Sequence, residues 1–170
     1  MGNPYWRSVR RVLVTFALLA LVLPAAAAAR LRASDDDGTL TIKDGNAYVQ
    51  IIAKGGVIGR FTSGVLLVRD PNPDDTYEEV VTGTAVRSHD IDDHLTRYTG
   101  KNLRFRYIGG RFKVTIQKGL DIDLSAVGQG KVTIKGAGTT DDGTYTLNDQ
   151  APEPILPFLT PLDLLAPAVP

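Results

Sequence analysis

The chain has no cysteine among its 170 residues. That excludes disulfides, thiolate zinc sites, cysteine nucleophiles and a lipidated cysteine, so the fold must hold without covalent staples. Its single tryptophan is Trp6, and the sequence offers no G-x-S-x-G, H-E-x-x-H or dinucleotide-binding fingerprint. No acidic residue occurs before residue 35. The formal net charge is zero, from 19 basic and 19 acidic groups, and the 43% hydrophobic and 22% charged content is ordinary for a globular chain. Collagen-like, coiled-coil and wholly disordered classes are thereby set aside.

What is present begins with a leader. Arg7, Arg10 and Arg11 precede the apolar run from Val12 to Leu23, which is followed by Pro24 and the alanines 25–29. This order of basic, apolar and small residues is that of a secretory signal peptide over residues 1–29, with cleavage expected between Ala27 and Ala29. An exported chain would keep residues 30–170 and lose Trp6. Its 16 basic groups would then face 19 acidic ones, so it would have no global attraction to nucleic acid. The expected location is extracytoplasmic, secreted or in the cell envelope.

After a polar lead-in over residues 30–37, composition divides the rest in two. Sixteen of the 17 glycines fall between Gly38 and Gly143, and six of the ten prolines follow residue 150. Residues 38–149 alternate apolar and polar positions in short runs punctuated by Gly and Asp, which predicts an all-β domain, most simply an antiparallel sandwich of short strands. Thr39–Lys43, Phe112–Ile116 and Lys131–Lys135 read as half-buried strands, whereas Gly64–Val68 is apolar on both faces and belongs in the middle of the fold. A short β-solenoid is the alternative, because similar Thr-rich strands recur. Only the interval of 18 from Val114 to Val132 supports a period, however, and the other intervals differ from it. The Pro-rich tail 150–170 cannot form a helix or a central strand. It either docks its apolar side chains or stays mobile. Leu156–Thr160 is only superficially like a sortase signal, since Pro161 stands where Gly is required.

Gly109-Gly110 between Leu103–Ile108 and Arg111–Ile116 predicts a hairpin with a two-residue turn. In that register Leu103, Phe105, Tyr107, Phe112, Val114 and Ile116 share a buried face. Arg104, Arg106, Arg111 and Lys113 share the opposite one. Four cations on one face form a candidate site for a polyanion, held by charge and by bidentate Arg geometry. The simpler reading is an exposed strand face kept soluble.

Other constellations are weaker. Asp70, Asn72 and Asp74 match the first ligand positions of an EF-hand-like calcium loop, but Asp75 stands where the loop needs Gly and Val81 where it needs Glu. The competing reading is a set of turn residues bonding their own backbone. His89 and His94 are the only histidines, and their spacing diverges on a strand. Gly128-Gln-Gly-Lys131 ends like a phosphate loop yet continues with Val132, where Ser or Thr would be needed. Asp121 and Asp123, two apart on one strand face, have the spacing of a hydrolase acid and base; Lys131 and Lys135 are their expected cross-strand partners.

Phe105–Ile116 together with Leu120–Ile134 resembles a segment of uncharacterised secreted bacterial proteins that carry a comparable leader. That resemblance implies export and β structure and brings no activity. The expectation is therefore a non-catalytic envelope or extracellular module, structural or binding, whose partner would be an anionic cell-envelope polymer or a surface protein. A carbohydrate-active hydrolase and a calcium-stabilised adhesion module are the alternatives, with calcium the one cofactor considered.

Overall fold

A computed structural model describes residues 36–72 and 79–166. The leader 1–29 lies outside the described residues, as do Asp74 and Asp75. Among the described residues six strands make one antiparallel sheet that does not close on itself: β1 (Gly38–Arg69), β2 (Val80–Asp92), β3 (Leu95–Gly136), β4 (Thr144–Leu147), β5 (Glu153–Pro154) and β6 (Thr160–Leu164). The fold is all-β, as the alternating pattern predicts.

Two of the strands are long. β1 runs for 32 residues and β3 for 42, and the two pair along both of their edges. Val114 faces Ile51 on one side and Val68 on the other, while Ile51 faces both Val114 and Val132. A pair of strands can meet twice only if the ribbon they form winds around itself. The register then defines two layers. Across the front layer run Asp90, Thr96, Val68, Val114, Ile51, Val132 and Leu162, each opposite the next. Across the back layer run Val81, Phe105, Gly59, Leu124, Ile42, Tyr145 and Glu153 in the same way. The 18-residue interval from Val114 to Val132 is one full circuit through both layers. It reflects an antiparallel ribbon rather than parallel solenoid rungs.

Strands change layer at corners where the backbone leaves the β region. Positive φ angles occur at Asp44, Gly55 and Gly64 in β1 and at Gly100, Asn102, Gly109, Gly110, Lys118, Asp121 and Gly128 in β3. Such angles bend a strand sharply, and Gly, Asn and Asp tolerate them best. Gly109-Gly110 is one of these corners. The expected hairpin is not formed: Leu103–Ile108 pairs with β1 at Gly56–Phe61, and Arg111–Ile116 pairs with β1 at Val49–Lys54. Two consecutive glycines serve a corner as readily as a turn, and β1 offered the partner that a local hairpin would otherwise have supplied.

Between the layers lies a single core. Leu40, Ile42, Val57, Phe61, Leu103, Phe105 and Tyr107 from the back meet Val49, Ile51, Leu66, Val68, Phe112, Val114 and Ile116 from the front, all buried. The rings of Tyr107 and Phe112 pack across the Gly109-Gly110 corner with centroids 5.1 Å apart. Gly64–Val68 sits between two β3 segments, in the interior of the front layer. The sheet also takes in part of the Pro-rich tail. β6 pairs with β3 at Gly130–Ile134, β5 pairs with β4, and Ile155 and Leu164 are buried. Proline is admissible there because these are edge strands, whose outward N–H positions need no ladder partner.

Candidate polyanion-binding faces

The four cations singled out in sequence do not share one face. Arg104 and Arg106 lie on the outer side of the back layer, opposite Arg60 and Ile58. Arg111 and Lys113 lie on the outer side of the front layer, opposite Lys54 and Ile52. The corner at Gly109-Gly110 separates the two pairs and sends them to opposite sides of the sandwich. Each pair is joined there by cations of β1 that sequence reasoning missed. Nothing local marks Lys54, Arg60 and Arg69 as their neighbours, since the pairing spans roughly 40 to 60 residues of chain.

On the front face, Arg111 stands directly opposite Lys54 and Lys113 directly opposite Arg69. Lys54, Arg69, Arg111 and Lys113, with Gln129 and the apolar Ile52, Ala53, Pro71 and Phe112, line an open depression of about 540 Å³ with no carboxylate among its described lining residues. Arg69 donates to Asp92 Oδ2 at 2.8 Å from the rim. His94 N–H caps the same carboxylate through Oδ1 and, together with Arg69, holds it below the usual range. Among the described residues the other three cations make no ion pair. Like charges directly opposite on neighbouring strands repel by a few tenths of a kcal/mol to about 1 kcal/mol, so Lys54 with Arg111, and more weakly Lys113 with the Asp92-paired Arg69, raise the energy of the free protein. An anion seated between them removes that cost.

The back face is more balanced. Arg60 Nε donates to Asp123 Oδ2 at 2.8 Å, and Lys43 Nζ lies 3.7 Å from Asp123 Oδ1. Hydrogen bonding from Arg60 outweighs partial burial and, aided by Lys43, holds the Asp123 carboxyl below the usual range. Its partners are thus Arg60 and Lys43, not Lys131 and Lys135, which face outward from the front layer opposite Ile52 and Tyr48. Asp121 occupies a corner with φ of 53°, its N–H donated to Asn46 Oδ1. A carboxyl held ionised by two cations is poorly suited to donate a proton as a glycosidase acid must.

The remaining sequence candidates have structural employment. Asp70 Oδ2 accepts the Tyr107 hydroxyl at 2.9 Å and Oδ1 accepts the Asn72 N–H at 2.8 Å, a local turn of the Asx kind. Asp93-His94 is the two-residue turn between β2 and β3, while His89 is exposed on β2 opposite Arg97. Gly128 of the phosphate-loop-like run is a corner. Among the described residues no group of three or more His, Asp or Glu side chains is gathered for a metal.

No family model, curated protein or solved structure matches the chain. The functional reading therefore rests on the geometry of the faces.

Proposed function

We propose that this chain is a non-catalytic, exported β-domain that binds an anionic polymer of the cell envelope through its front face. The observation that carries the reading is the pair of like-charge cross-strand neighbours, Lys54 with Arg111 and Arg69 with Lys113, in a depression with no carboxylate among its described lining residues. Neighbouring strands place these cations about 4.8 Å apart, and alternate residues along a strand place them about 6.6 Å apart. That spacing suits a polymer with a negative group every few ångström. The Arg guanidinium groups add bidentate bonds to phosphate, sulfate or carboxylate. Export is supported by the order of residues in the leader 1–29.

The test is binding of inorganic polyphosphate and of a sulfated polysaccharide at several salt concentrations. Affinity should fall steeply as salt rises, because each neutralised charge releases a condensed counterion. Arg111→Ser with Lys113→Ser should weaken binding by about tenfold or more and flatten the salt dependence, with a melting temperature equal to or slightly above the wild type, since both side chains lie on the outer face and their removal relieves like-charge pairs. Undiminished binding by that double variant would sink the proposal. Export is checked separately: the secreted protein should lack Trp6 by mass and show no tryptophan emission.

A further inference from the structure

The back face repeats the front face's chemistry on the opposite side of the core. Its rows read Thr82, Arg104, Arg60, Asp123 across four strand segments, with Lys43 of the next segment ion-paired to Asp123, and Val80, Arg106, Ile58, Ser125, Thr41 across the next level. Together they line an open depression of about 550 Å³ whose described lining holds four cations against one carboxylate. Asp123 engages Arg60 and Lys43. Arg104 and Arg106 make no ion pair among the described residues, and Arg104 stands directly opposite Arg60. The hydroxyls of Thr41, Thr82 and Ser125 add hydrogen-bonding groups to the floor.

Most of the described carboxylates lie away from the centres of the two faces. Among the described carboxylates, Asp123 alone sits within the central strand segments of either outer face. Asp44 and Asp121 stand at corners, Asp93 in the β2–β3 turn, Glu153 on β5 and Asp163 on β6. A polyanion following one face would have to turn around the edge of the sandwich to reach the other. The two basic faces are therefore separate sites, set back to back on layers that pack about 10 Å apart.

We propose that the back face, built on Arg60, Arg104 and Arg106, is a second polyanion site, and that the domain bridges two polymer segments rather than coating one. This rests on the front-face reading and extends it from binding to cross-linking. Linking two sites on one rigid body raises avidity for a polymer network without any new contact.

The experiment uses the full chain, a short polyphosphate that fills one face, and a long polyphosphate that can span molecules. Calorimetry with the short polymer should give two sites per wild-type chain. One site should remain in Arg104→Ser with Arg106→Ser, one in Arg111→Ser with Lys113→Ser, and none when all four are replaced. With the long polymer, light scattering should rise and then fall as protein is added in excess, and neither double variant should scatter above the polymer alone. No variant should melt below the wild type. One site in the wild type, kept in the back-face variant and lost in the front-face variant, would overturn bridging and leave the proposed function standing. One site lost only in the back-face variant, or no site at all, would overturn both.

Discussion

Gly55 of β1 lies directly opposite Gly128 of β3, at the corner where both strands change layer together. Their φ angles are 146° and 145°. A Cβ on Gly55 would fall 2.8 Å from the Gly128 Cα and closer still to the Val127 carbonyl oxygen; one on Gly128 would run into the carbonyl of Lys54. Each glycine thus leaves room for the other strand's backbone.

Gly128→Ala and Gly55→Ala should each destabilise the protein by about 2–4 kcal/mol, because strain at positive φ adds to a backbone clash that no rotamer relieves. Gly138→Ala is the control: its φ is 85°, but the nearest atom to a new Cβ is Pro157 Cβ at 3.8 Å. It should cost only about 1 kcal/mol. Denaturant melts of the three variants decide the matter, and equal losses would show that close approach at the paired corner is unimportant.

Lys113→Glu should separate stability from binding. Lys113 faces Arg69 across the ladder, so reversing its charge turns a repulsive pair into an attractive one, worth a few tenths of a kcal/mol. The melting temperature is expected to rise by about 1–3 °C while polyphosphate affinity drops. A lower melting temperature in low salt would contradict the claimed cross-strand repulsion.

Truncation after Gln150 should lower stability severely. It removes β5 and β6, uncovers the β3 edge at Gly130–Ile134, and takes away Ile155 and the fully buried Leu164. The point variant Leu164→Ala should cost about 2–4 kcal/mol, the usual range for emptying a core site. A truncated chain melting within a few degrees of the full chain would show that the tail contributes nothing to the core.

Asp142 sets an acid limit. Burial opposes its ionisation, yet the Thr139 hydroxyl and the N–H groups of Gly138 at 2.7 Å and Thr139 at 3.1 Å donate to its carboxylate. The net effect holds its carboxyl below the ordinary value. A depressed folded-state value means the stabilisation is complete above about pH 4 and is lost as pH falls through the lower value. Wild-type stability should therefore decline below about pH 4, and Asp142→Asn should be less stable at pH 7 with a shallower decline. Parallel profiles for the two proteins would exclude Asp142 as a contributor.

Alternation by itself determined much of the fold. Leu103, Phe105, Tyr107, Phe112, Val114 and Ile116 are all buried, as the period-two pattern requires, and that pattern survives the replacement of a hairpin by a corner because burial depends on which side of the strand a residue takes. Strand character at Thr39–Lys43 and Lys131–Lys135, the central place of Gly64–Val68 and the turn role of Asp70 were legible for the same local reason. Pairing partners were not. Whether Gly109-Gly110 reverses the chain or bends it depends on whether β1 is there to take both flanks, and that is a contact across roughly 40 to 60 residues. The grouping of cations followed from it: tertiary structure alone decided that Arg104 and Arg106 join Arg60 on one side while Arg111 and Lys113 join Lys54 and Arg69 on the other. Side-chain direction is a property of the local backbone; which strand lies alongside is a property of the whole ribbon.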